Sequence, residues 1–219
     1  MDETAVRDAA REYFDGLSPC HDVQHVRRVV ATAKRLADAT ERGEHGPARD
    51  VDRDVLVAAA WLHDVGRAKE SRGEIDDHAA WGASESRTVL RDLGERDDAF
   101  LDAVAHCVRA HRFSNDVEPE TLEAELLCDA DNLDATGAVG VARVFAYAGE
   151  YGNTLHDPDL PPAADDSPAG ETSFNHFHKK ILELADRTYT PAGRALAADR
   201  QAYVEEFLDR FEREARGDA

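Results

Sequence analysis

The stretch "VLVAAAWLHDVGRAKE", Val55–Glu70, decides the fold. Val55 to Leu62 are apolar without interruption, and His63-Asp64 and then Gly66 follow at once. A helix that is apolar all round belongs at the centre of a globular protein. A carboxylate at the end of such a segment is costly unless it is paired or bound to a cation. Two readings fit the dipeptide alone: a solvated helix end, or a pair of metal ligands. The same dipeptide recurs at His21-Asp22 and His156-Asp157, so context has to separate the three copies.

Around this helix, about Asp52 to Val65, the pattern is helical nearly throughout. "DETAVRDAAREYF" reads as a first amphipathic helix. Ser18-Pro19 is a helix start signal. After it Val26, Val29, Val30, Ala33, Leu36 and Ala37 fall at helical spacing up to the polar loop "ERGEHGPARD". Further helices are expected over Asp77–Leu93, Asp97–His111, Pro119 to near Gly137, and Val139–Gly149. "GNTLHDPDLPPAADDSPAGETS" has no periodicity and reads as a long loop, either a lid or a disordered, salt-adapted insertion. Phe174–Asp186 and Pro191–Arg213 close the chain as two helices. No hairpin signal or internal repeat occurs. The expected class is all-α: one domain over residues 1–219, with a core of about 18–150, a loop of about 152–173 and C-terminal helices over about 174–213.

Composition narrows the partners. The 219 residues carry a net charge of −20 with 42% hydrophobic residues, so the chain is globular and strongly acidic. Such a surface repels phosphate backbones, which argues against duplex nucleic acid and an anionic membrane. No apolar run approaches the roughly 20 residues that cross a bilayer. The N-terminal stretch lacks the basic and apolar regions of a secretory signal, and a cytoplasmic protein is expected. Lysine occurs only at Lys34, Lys69, Lys179 and Lys180, and arginine supplies the other basic residues. An acidic, lysine-poor surface fits a halophilic habitat, where salt screens self-repulsion. Cys20, Cys107 and Cys128 form no CxxC pair and read as buried thiols rather than zinc ligands or a disulfide.

Two further residues bear on His63-Asp64. His25 lies in "HDVQHVRRV", on a helix whose apolar face includes Val26, Val29 and Val30. Asp131 follows Leu127 by four residues and so borders the stripe Leu126, Leu127, Ala130, Leu133. Each alone is more often a surface or hydrogen-bonded residue than a ligand. Together they offer two imidazoles and two carboxylates from three helices, a donor set for a hard or borderline divalent metal.

The order H … HD … D, carried by His25, His63-Asp64 and Asp131, resembles the signature of the HD-domain superfamily of metal-dependent phosphohydrolases. The stretches "CHDVQHVRRVVATA", "AAAWLHDVG", "HAAWGASES", "CVRAHRFS" and "LLCDADNLDATGAVGVARVF" look, in order, like a stand-alone bacterial and archaeal subfamily. "FNHFHKKILELADRTYTPAGRALAADRQAYVEEFL" resembles that subfamily's C-terminal end. The resemblance covers about Ser18 to Phe211. It implies a helical bundle in which His25, His63, Asp64 and Asp131 hold one divalent ion (Mn, Mg, Co or Fe), with a second ion conceivable. It also implies hydrolysis of a phosphate ester or anhydride by an activated water, Asp64 serving at the catalytic centre. Nucleotides are the leading substrate class.

His78 and His111 match histidines of related sequences. They would bind phosphate, protonate the leaving group or complete a second metal site, unless each is a helix-end histidine satisfied by backbone. Lys69 follows the HD turn, where it would meet a phosphate or stay solvated, and Arg28, Arg67, Arg112 and Lys179 are similar cations. His21 shares the face of His25, and Asp22 is either a support for a ligand ring or a helix cap. His156-Asp157 sits in the loop and reads as incidental. Competing readings are a di-iron HD oxygenase and a non-catalytic nucleotide-binding HD module.

Overall fold

The computed structural model describes residues 1–95, 97–112 and 117–218. The end of "CVRAHRFS", from Phe113, lies outside them. Among the described residues there are helices and no strands. In order they are α1 (Glu3–Arg11), α2 (Val23–Arg42), α3 (Arg53–Leu62), α4 (Arg67–Ser71), α5 (His78–Asp92), α6 (Asp98–Ala110), α7 (Leu122–Asp134), α8 (Gly137–Tyr151), α9 (Ser173–His176) and α10 (Pro191–Arg216). The chain resolves into two compact units, Met1–Asp131 with Tyr189–Gly193, and Asn132–Thr188 with Arg194–Ala219.

In the first unit, α3 is the central element. Every residue from Val55 to Leu62 is buried, and α3 packs against α1, α2, α5 and α6. Part of the acidity is spent on helix starts. Asp2, Asp22, Asp52, Asp77 and Asp97 are the N-caps of α1, α2, α3, α5 and α6, each accepting backbone N–H bonds. A carboxylate there satisfies orphan donors and sits at the positive end of the helix dipole. The start signal Ser18-Pro19 is superseded for this reason: Ser18 accepts a turn bond from His21 N, and α2 begins after Asp22.

Two further features shape the site's surroundings. The chain turns after α3, with Arg67 N bonding Asp64 O at 2.9 Å, and Gly66 lies against the start of α5. A Cβ at Gly66 would stand 2.5 Å from His78 O, so only glycine lets the HD turn approach α5 this closely. From α7, Asp129 is fully buried and accepts from Tyr189 N at 2.7 Å, Thr190 N at 2.9 Å and Thr190 Oγ1 at 2.6 Å. These bonds fasten the short segment Tyr189–Gly193 to the first unit.

In the second unit, the long loop is cross-linked by its own side chains. Asp165 is its hub, accepting from Ser167 N and Oγ, Glu171 N and Asn175 Nδ2. Lys179 donates to the carbonyls of Asp165 and Ser167, which ties this candidate phosphate cation to the loop. The expected helix over Phe174–Asp186 is helical in three pitches: α9, a wide π-type turn at Phe177–Ile181 and a 3-10 turn at Leu182–Arg187. His156 stacks edge-on against Phe174, a packing contact. Among the described residues the three cysteines are buried and form no disulfide, and burial pushes the Cys107 thiol up to about 12.

Candidate metal centre

Four of the sequence candidates meet in the first unit. His25 comes from the first turn of α2, His63 and Asp64 from the end of α3, and Asp131 from α7. His25 Nε2 lies 3.3 Å from His63 Nε2, 3.4 Å from Asp131 Oδ1 and 3.7 Å from Asp64 Oδ2. His63 Nε2 is 3.8 Å from both Asp131 Oδ1 and Asp64 Oδ2. His25, His63 and Asp64 are buried, whereas the Asp131 side chain is 26% exposed and leaves one open side.

A second group adjoins the first. His78 opens α5 and His111 follows α6. Their Nε2 atoms face each other at 3.3 Å, and they lie 3.3 and 3.6 Å from Asp64 Oδ1. The carboxylate of Asp64 is therefore divided. Its Oδ2 looks toward His25 and His63, and toward His21 Nδ1 at 3.3 Å. Its Oδ1 looks toward His78 and His111. His63 and His111 are held alike, each ending a helix and donating from Nδ1 to the carbonyl three residues earlier. His63 bonds Ala60 O at 2.8 Å, and His111 bonds Val108 O at 2.7 Å. Their Nε2 atoms are thereby left as acceptors.

This arrangement fits a cation. Asp64 Oδ1 is buried with no hydrogen-bond partner, a costly state for a carboxylate oxygen. Paired imidazole nitrogens at 3.3 Å need a proton or a metal between them, since two lone pairs repel. The donors are imidazole and carboxylate without thiolate, a set that suits manganese, cobalt or iron better than magnesium, which favours oxygen donors. Among the described residues, three overlapping groups could each hold an ion: His21, His25 and Asp64; His25, His63 and Asp131; Asp64, His78 and His111.

Electrostatics agree with the geometry. Burial pushes the Asp64 carboxyl up, but Arg67, His63 and the other imidazoles hold it well below the usual range. Asp131 is likewise raised by burial and lowered further by His25 and His63, ending below its ordinary value. Burial carries His63 down to about 4, against the pull of Asp64 and Asp131, so its ring is neutral and ready to coordinate at neutral pH.

The remaining candidates divide. Lys69 does not join the cluster: it pairs with Glu74 at 3.4 Å and lies 5.2 Å over the Trp81 ring. Arg67 reaches in, with Nε 3.7 Å from Asp64 Oδ2. Asp22 is the cap of α2, bonded to Gln24 N and His25 N. Glu70, not singled out in the sequence, gathers His78, Arg67 and Arg112. Its signal was a glutamate one turn after the HD turn, too common a feature to read.

An all-α chain that assembles His25, His63-Asp64 and Asp131 in this order has the plan of an HD domain. The HD domain model matches residues 22–136, and the chain belongs to that family. It is 28% identical over 203 residues to the uncharacterized protein YpgQ of Bacillus subtilis, covering 90% of this chain and 85% of YpgQ. The crystal structure of B. subtilis YpgQ in complex with ADP superposes with a TM-score of 0.74 at 25% identity over all of both chains. An HD-superfamily hydrolase from Bacillus thuringiensis gives 0.73 at 30% identity over 98% of this chain and 96% of its own.

Proposed function

We propose that the protein is a metal-dependent phosphohydrolase that cleaves a phosphate ester or anhydride of a nucleotide. The observation that carries this reading is the divided carboxylate of Asp64, one oxygen facing each set of buried imidazoles. His25, His63, Asp64 and Asp131 would hold one divalent cation, and Asp64, His78 and His111 a second. A cation bound there lowers the pKa of a water and polarises a phosphoryl oxygen.

The chain's own groups supply the rest. His63 and His111 are fixed by their backbone bonds and present Nε2 without rearrangement. Arg67 and Arg112, on the border of the cluster, offer positive charge to an anionic substrate in a protein of net charge −20. His21, partly exposed beside Asp64, is placed to exchange a proton with solvent. The ADP held by the B. subtilis relative supports a nucleotide as the ligand class.

A di-iron oxygenase is the second reading. Two imidazole sets sharing one carboxylate would also suit two irons. Elemental analysis of the purified protein, followed by a nucleotide and phosphoester screen with each divalent metal, decides between them. Phosphate or pyrophosphate release with Mn²⁺ or Co²⁺ supports the hydrolase. Two irons with a mixed-valence signal and no phosphate release support the oxygenase. Tight nucleotide binding without turnover under any metal would leave a binding module.

A further inference from the structure

We propose that Glu70 is a positioning residue that fixes the donor atom of His78 and, with the same carboxylate, the two arginines beside the cluster. The inference rests on the cation-binding part of the reading above. Four donors converge on Glu70. Oε2 accepts from His78 Nδ1 at 2.9 Å and Arg67 Nη1 at 3.0 Å. Oε1 accepts from Arg112 Nη1 at 2.8 Å and His78 N at 3.3 Å. These donors come from α4, from the start of α5 and from the chain beyond α6, so a single side chain joins three segments.

The chemistry follows from what a carboxylate can do. An ionised carboxylate only accepts hydrogen bonds, so His78 Nδ1 carries a proton. His78 Nε2 then points at Asp64 Oδ1 and His111 Nε2, both at 3.3 Å. A carboxylate on the far ring nitrogen orients a ligand histidine and raises its basicity. The same Glu70 oxygens hold Arg67, which also stands 3.7 Å from Asp64, and Arg112. Cation affinity at Asp64, His78 and His111 and anion affinity at the arginines are therefore linked through one residue. Glutamine offers one acceptor where Glu70 offers two, and its amide group would oppose the donors on the other side.

The test measures binding without turnover. Metal-free wild type and Glu70→Gln are titrated with Mn²⁺, followed by electron paramagnetic resonance and calorimetry. Each is then titrated with inorganic phosphate. The expected result is two Mn²⁺ sites in the wild type, one of them weakened about 10-fold or more by Glu70→Gln. The other site stays unchanged, phosphate binding weakens, and Glu70→Asp recovers part of both losses. Should Glu70→Gln fail to fold by circular dichroism, Glu70→Asp carries the comparison, with a smaller weakening at the same site. Unchanged Mn²⁺ affinities in the variant, or a wild type that takes up a single Mn²⁺, overturn the inference. Neither result depends on hydrolysis. A protein that binds as described but cleaves nothing refutes the proposed function and leaves the role of Glu70 standing.

Discussion

The Nε2 atoms of His78 and His111 face each other at 3.3 Å while their Nδ1 atoms are bonded to Glu70 and to Val108 O. Such a pair holds a proton or a metal ion, and uptake of a metal displaces the proton. His111→Ala removes one side of the pair. Metal analysis after Mn²⁺ loading should then find one ion, at His25, His63, Asp64 and Asp131, where two are expected in the wild type. Undiminished loading in the variant would remove His111 from the donor set.

Acid should weaken the metal-free protein through His63. Its folded pKa, about 4, is depressed by burial below the ordinary 6.5. Between those values the unfolded chain binds the extra proton, so stability is present above pH 6.5 and is lost as pH falls toward 4. The loss from this group amounts to about 3 kcal/mol at most. Urea unfolding in a chelator, at intervals from pH 7 to 4.5, should show a steeper decline in wild type than in His63→Gln. Parallel pH profiles for the two proteins would contradict this assignment.

Gly193 should tolerate no side chain. A Cβ there would stand 2.1 Å from Asp129 Oδ2, the acceptor that holds Thr190. Gly193→Ala must push that carboxylate off its donors or shift α10, at a cost of about 1–3 kcal/mol. Thermal melts should show a lowered Tm, and an unchanged Tm would mean that the segment Tyr189–Gly193 is not clamped as described.

Salt should stabilise the fold. A net charge of −20 repels itself, and many acidic side chains are exposed. Screening shortens to about 3 Å at 1 M salt. The melting temperature should therefore rise between low and molar KCl, and a flat or falling curve would rule out the halophilic reading of the composition.

Much of this fold follows from local pattern. The apolar run Val55–Leu62 is the centre of the first unit because no face of it can meet water. Asp131, beside the stripe ending at Leu133, and His25, among valines, were ambiguous singly, and it was their order with His63-Asp64 that singled them out. Other features depend on contacts distant in sequence. Lys69 and Arg67 differ by two residues on a one-turn helix, so they project to opposite sides, and only Arg67 turns toward Asp64. Glu70 gains its role from Arg112, 42 positions away. The loop's internal bonds, from Asp165 to Glu171, Asn175 and Lys179, join residues that no periodicity pairs.

The central claim is that Asp64, shared between two imidazole sets, makes this chain a metal-dependent phosphohydrolase. The most direct measurement is phosphate and pyrophosphate release from a nucleotide panel with Mn²⁺ in molar KCl, wild type against Asp64→Ala. The account predicts release by the wild type and its loss in the variant, with helical circular dichroism unchanged. Equal release by a folded Asp64→Ala protein would contradict it.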